Sequence, residues 1–146
     1  MPVIRVGDID MYHERKGQGP ALVMIQGLGY DHRPYLWLRD VLARRFDTIL
    51  MDNRGVGLSS VPEGPYSIEQ LAEDVRGLMD VLGIPRAHLM GVSMGGYVAQ
   101  MLALDHPSRI QNLVLGCTCM TGVPAPVHMP SYTLGHPINR HGGGEH

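Results

Sequence analysis

The residues best suited to chemistry are Gly91-Val92-Ser93-Met94-Gly95, a G-x-S-x-G pattern between the apolar run Ala87–Val92 and an apolar stretch from Met94 to Leu104. The run reads as a strand and the stretch as a helix, so the chain must turn sharply at Ser93. Such a turn lifts a hydroxyl clear of a sheet's carboxyl edge and holds its residue in a strained backbone conformation. Residues two before and two after the serine come close together, and Gly91 and Gly95 are small enough to allow it. Gly96 then lets the helix approach the sheet. The turn also sets Ser93 at a helix N-terminus, where N–H groups and the helix dipole favour negative charge. The chemistry indicated is nucleophilic attack by Ser93, with the Met94 N–H receiving the oxyanion of a tetrahedral intermediate.

A second oxyanion donor must come from the loop after a neighbouring strand. Gln26-Gly27-Leu28-Gly29 follows the buried-strand pattern Ala21–Ile25 and stands in that place. Leu28 N–H is the expected donor and Gly27 N–H the alternative, with Gln26 and Gly29 as substrate-binding neighbours. A bare G-x-S-x-G string is often only a glycine-rich turn. The strand before it, the helix after it and the second glycine loop are the context the motif needs.

A serine hydroxyl needs a general base, and the base needs an orienting acid. After Ser93 the only acids are Asp105 and Glu145. Asp105 lies about 12 residues on, hence about 18 Å along the helix, too far to orient a base at Ser93. Glu145 is followed only by His146. His128, His136, His141 and His146 come after the last recognisable strand, with nothing to aim them. The triad acid and base are therefore unassigned. His13, His32, His88 and His106 read as ordinary surface or loop residues. His141-Gly-Gly-Gly-Glu145-His146 lacks the helical His-Glu-x-x-His spacing, and three glycines do not hold ligands in geometry, so no metal is expected.

The elements that must position these groups follow from periodicity. Val3–Val6 and Ile9–Glu14 read as strands around Gly7-Asp8, then Ala21–Ile25 and Thr48–Met51 as buried strands. Leu36–Arg44 fits a short helix. The clearest helix starts after Ser67, which forms a capping-box pair with Gln70. Ile68, Leu71, Ala72, Val75, Leu78, Met79 and Leu82 recur at helical spacing, and Gly83 and Pro85 end it. Its acidic residues read as a solvated face. Ile110–Cys117 is the last strand, and Cys117 and Cys119 read as reduced, partly buried strand residues whose parallel side chains do not suit a disulfide. Alternation of strand and helix predicts an α/β fold with a mostly parallel sheet and right-handed crossovers. Residues 1–122 form the core, and 123–146, broken by prolines and glycines, read as a poorly ordered tail.

Composition fits this. At 146 residues, 44% hydrophobic and 18% charged, the chain can build one core. A net charge of −2 without a basic run argues against nucleic-acid binding. Without a signal-peptide pattern or an apolar segment of about 18 residues, the expectation is a cytoplasmic protein with no membrane span.

Taken together, Ile25–Tyr30, Met51-Asp52-Asn53-Arg54-Gly55-Val56-Gly57-Leu58-Ser59, Gly91–Gly96 and Leu113-Val114-Leu115 resemble the α/β-hydrolase superfamily. The branch is that of bacterial esterases, enol-lactonases, C–C hydrolases and cofactor-free haloperoxidases. The resemblance covers about residues 3–122. It implies strands one to six of an eight-stranded sheet, in order 1-2-4-3-5-6, and no cofactor. It also implies that Asp52–Ser59 shapes a loop near the site without being catalytic. Gln26 stands where many members have His. Dehalogenases and epoxide hydrolases of this fold use a carboxylate nucleophile, so Ser93 implies acyl transfer on a small ester, thioester or lactone. The alternative is an inactive fragment or pseudoenzyme lacking base and acid. Without the last two strands, 110–117 becomes an apolar edge that invites self-association or a complementing chain.

Overall fold

A computed structural model describes residues 2–119; the expected tail, with Glu145 and the four late histidines, lies outside the described residues. Six strands form one sheet: β1 (Val3–Val6), β2 (Ile9–Lys16), β3 (Ala21–Ile25), β4 (Asp47–Met51), β5 (Ala87–Val92) and β6 (Ile110–Gly116). Their order is β1-β2-β4-β3-β5-β6. β1–β2 and β2–β4 pair antiparallel; β4–β3, β3–β5 and β5–β6 pair parallel. This is the strand order that the family resemblance implies.

Among the described residues three α-helices cover the sheet: α1 (Leu36–Leu42), α2 (Ile68–Val81) and α3 (Met94–Asp105). Leu22, Met24 and Leu50 turn one face towards Leu36, Leu38 and Leu42 of α1. The opposite face carries the larger core, where Val23, Ile25, Ile49 and Leu89 meet α2 and α3. β3 and β4 are buried on both faces, which is why they read as continuous apolar runs.

Helix α2 begins and ends as its residues dictate. The Ser67 Oγ accepts from the Gln70 N–H at 3.1 Å. At the other end Ile84 N–H reaches Met79 O at 2.8 Å and Gly83 N–H reaches Asp80 O at 3.1 Å, with Gly83 at φ +68°. That pair of bonds is a Schellman closure.

Several boundaries differ from the sequence reading. β2 continues to Lys16 because Arg15 and Lys16 pair with Ile49 and Thr48, a ladder that hydropathy does not reveal. α1 stops at Leu42, where Arg45 and Phe46 N–H groups both fold back onto Leu42 O. β6 stops at Gly116 because Cys117 turns to φ 51°; Cys117 and Cys119 are exposed and lie past the strand, not partly buried within it.

The acidic face of α2 also needs correction. Asp74 is buried, and Arg54 grips it through two bonds, Nε–Oδ2 at 2.6 Å and Nη2–Oδ1 at 2.7 Å. Arg54 Nη2 donates to Asp8 as well, at 2.9 Å. Burial works against the charge on Arg54, but the bonds to Asp74 and Asp8 outweigh it and hold the guanidinium above its ordinary pKa. Burial pushes the Asp74 carboxyl up, with Arg54 pulling against it. This pair fastens the segment after β4 to α2. Removing Asp74 leaves the buried guanidinium with only the exposed Asp8 as its partner, and breaking a buried pair costs about 3–5 kcal/mol, whereas an apolar pair can be neutral. Asp74→Ala should therefore lose stability in urea on that scale, and Arg54→Met with Asp74→Leu should recover most of it.

Candidate active site

Ser93 is the residue between β5 and α3. Its backbone lies at φ 53°, ψ −118°, a region that costs a side-chain-bearing residue of the order of 1–3 kcal/mol. Its N–H is tied to Gly116 O at 2.9 Å, and its carbonyl accepts from the Gly96 N–H at 2.9 Å. The side chain is exposed at the carboxyl edge of the sheet, while Met94 behind it is buried.

The bend exists because three backbone segments can touch. A Cβ at Gly91 would stand 2.3 Å from Gly95 O, and one at Gly95 would stand 2.1 Å from Ile25 O and 2.7 Å from Gln26 O. No methyl fits at either place. The approach of Gly95 to Ile25 and Gln26 also brings the end of β3 against the bend. A Cβ at Gly27 would lie 3.3 Å from Ser93 Cβ and 3.9 Å from Ser93 Oγ. The glycine loop thus faces the hydroxyl directly.

Met94 N–H is the first amide of α3 and belongs to the set with no intrahelical acceptor. The hydroxyl therefore sits between a helix N-terminus and the 27–29 loop. Of that loop, Gly27 is buried, Gly29 is partly exposed at φ +73°, and Leu28 is exposed. Gln26 behaves differently from the expectation of a substrate contact. Its side chain is 1% exposed, and both amide atoms are buried without a hydrogen-bond partner. It lines a cavity of about 10 Å³ with Met24, Tyr35, Met90 and Val92, at the lower limit for one water.

Among the described residues His32, His88 and His106 are engaged away from Ser93. His106 pairs with Glu73 at 3.0 Å beyond the far end of α3, next to Asp105. His88 meets Asn112 at 3.1 Å, and His13 lies on β2. His32, read from the sequence as an ordinary surface or loop residue, lies in a loop but is buried there. It is 7% exposed, and its Nδ1 lies 2.9 Å from both carboxylate oxygens of Asp52. A buried imidazole–carboxylate pair is what a serine would need, but this one is turned elsewhere. Its Nε2 faces Glu14 on β2 at 4.0 Å, and β4 and β3 stand between β2 and β5. The only advance signal for this pair is an acid at the end of an apolar strand, before a turn rich in glycine.

Comparison with known proteins agrees with this geometry. Residues 20–144 match the family model for the alpha/beta hydrolase fold. The chain belongs to the alpha/beta hydrolase family. It is 36% identical over 115 residues to 3-oxoadipate enol-lactonase 2 of Acinetobacter baylyi, covering 76% of this chain and 42% of that protein. It is 35% identical over 120 residues to a fluoroacetate dehalogenase of a Burkholderia species, covering 77% and 39%. The crystal structure of the enol-lactonase from Burkholderia xenovorans LB400 superposes with a TM-score of 0.74 at 37% identity, covering 77% of this chain and 45% of that one. The chain thus spans about two fifths of the length of the curated relatives it matches. No helix among the described residues is long and apolar enough to cross a membrane.

Two glycines at this end of the sheet separate the bend from its surroundings. Gly95→Ala should cost about 3 kcal/mol or more, at the upper end for an inserted group, because its methyl meets backbone that cannot move aside. Gly116→Ala should stay within about 0.5 kcal/mol, since its Cβ would meet only Val92 Cγ2 at 3.9 Å. Urea unfolding of the two variants checks the contrast.

Proposed function

We propose that this hydrolase-fold protein cleaves a small carboxylic ester, thioester or lactone through an acyl-enzyme on Ser93. The observation that carries the reading is a hydroxyl held in a left-handed bend at the sheet rim, beside Gly27 and at the start of α3. The likeness to two enol-lactonases supports a lactone or related ester as substrate. A serine rather than a carboxylate at the bend supports acyl transfer.

In this reading Ser93 Oγ attacks the substrate carbonyl carbon and forms a C–O bond. Its proton passes to an imidazole supplied from outside residues 2–119. The carbonyl electrons move onto oxygen, and Met94 N–H and Leu28 N–H, or Gly27 N–H in its place, stabilise that charge. Each such donor contributes about 3–4 kcal/mol to the transition state. The alkoxide or thiolate leaves with the proton, and water then cleaves the acyl-enzyme. Leu28 and Gly29 form the substrate-facing side of the loop. A fluorophosphonate probe should label the protein with the adduct on Ser93, and Ser93→Ala should abolish labelling. Burst release of p-nitrophenol from its acetate should likewise require Ser93. Folded protein that does not label would instead support the second reading, a non-catalytic fragment, which the engagement of His32, His88 and His106 elsewhere favours.

The rim of β6 bears on partners. The strand Ile-Gln-Asn-Leu-Val-Leu-Gly carries no charge, and Val114 is 50% exposed. β1, at the opposite edge, is short and carries Arg5 paired with Asp10. An uncharged edge can meet a second copy of itself without repulsion, so we place self-association there. Native mass should exceed the 16.0 kDa of one chain, and Val114→Lys should return it towards that value.

A further inference from the structure

The oxyanion loop and the segment after β4 share one buried carboxylate. Asp52 is 0% exposed. Its Oδ1 accepts from the His32 backbone N–H at 2.7 Å, and His32 Nδ1 lies 2.9 Å from both oxygens. Its Oδ2 accepts from the Leu58 N–H at 3.0 Å. Gly57 makes room for it: at φ +55°, a Cβ there would lie 2.1 Å from Asp52 Oδ2 and 2.9 Å from Asp31 Cβ. Three donors from two loops thus converge on one side chain.

The imidazole is fixed from its other side too. The Tyr12 ring lies 4.5 Å from it, tilted by 38°, and Tyr12 Oη donates to Glu14 Oε1 at 2.6 Å. Glu14 is in turn paired with Arg39 of α1. Asp31, next in the loop, accepts from the Arg33 N–H at 3.0 Å and from Arg33 Nε at 2.8 Å. Burial pushes the Asp52 carboxyl above its ordinary value, and the Leu58 and His32 donors pull against it. An acid placed so deep in the protein is costly unless its bonds are all made.

We infer that Asp52 is a positioning residue for the oxyanion site: through His32 and Leu58 its carboxylate holds the loop from Gly27 to His32 against Ser93. Nothing in its geometry lets it act as the base, because its oxygens are committed to the two loops. Its effect on chemistry passes through where Gly27 and Leu28 point their N–H groups. This rests on the reading of Ser93 as nucleophile.

The test combines two measurements on the full chain. The first is amide hydrogen exchange, which does not depend on activity. Asp52→Asn should speed exchange at residues 28–32 and at Leu58 by about tenfold, the worth of a charge-assisted bond, while α2 stays unchanged. The second is the rate of fluorophosphonate labelling at Ser93. His32→Ala should slow it about tenfold, and His32→Asn, which keeps an N–H near the Nδ1 position, should restore most of it. A merely structural side chain would give no such rescue at equal stability. Unchanged exchange in both loops, or a rise spread evenly over the chain, overturns the inference. So does labelling of His32→Ala at the wild-type rate. If the wild-type chain never labels, the nucleophile reading fails, and exchange alone decides whether Asp52 clamps the loops. If Asp52→Asn does not fold, the His32 pair decides in its place by both measurements.

Discussion

The site depends on how closely backbone can approach backbone at one bend. Ser93 is held left-handed because Gly91 and Gly95 let the end of β5, the start of α3 and the end of β3 come into contact. The strain at one residue is offset by what surrounds it: a ladder bond to Gly116 O, an apolar helix packed beneath, and two buried strands on either side of the approach. Remove the glycines and the same strands would still pair, but the hydroxyl would no longer stand where a helix N-terminus and a second loop can both reach it. Cys117, at the next position of the neighbouring strand, takes a left-handed conformation as well, so both β5 and β6 turn away abruptly at this edge.

Two buried carboxylates organise the rest of the rim. Asp74 draws Arg54 onto α2, and Asp52 draws His32 and Leu58 together. Asp74 holds Arg54 of the stretch that follows β4, and Asp52, its first residue, holds Leu58 further along it. The loops near the hydroxyl are therefore held by charge and hydrogen bonding as well as by the burial of Val56. An electrostatic site needs this order, because donors that must reorient during reaction lose most of their advantage. Further ion pairs, such as Arg15–Asp47 and Arg76–Asp80, lie on the surface, and the sheet faces are packed by apolar residues.

Much of this was legible in the residues. The strands from Ala21 and Ala87, the capped helix after Ser67 and the bend at Ser93 all carry local signals that tertiary contacts reinforce. What was not legible arises between elements. Arg15 and Lys16 join β2 only because β4 lies beside them. Asp74 looks like any exposed helix acid until Arg54 arrives from a segment 20 residues away. His32 looks like a loop histidine until the fold buries it against Asp52. Gln26 sits on the motif, but its inward turn beneath Tyr35 depends on the packing of the α1 face. Each of these contacts joins residues far apart in the chain, and such contacts leave no periodic trace in the sequence.

The central claim is geometric, and the most direct measurement is a crystal structure of the protein carrying a phosphonate on residue 93. The account predicts that Ser93 keeps its left-handed backbone and that one phosphoryl oxygen lies about 2.7–3.1 Å from Met94 N and from the amide of Leu28 or Gly27. A phosphoryl group turned to solvent, or residue 93 found in regular helix, would contradict it.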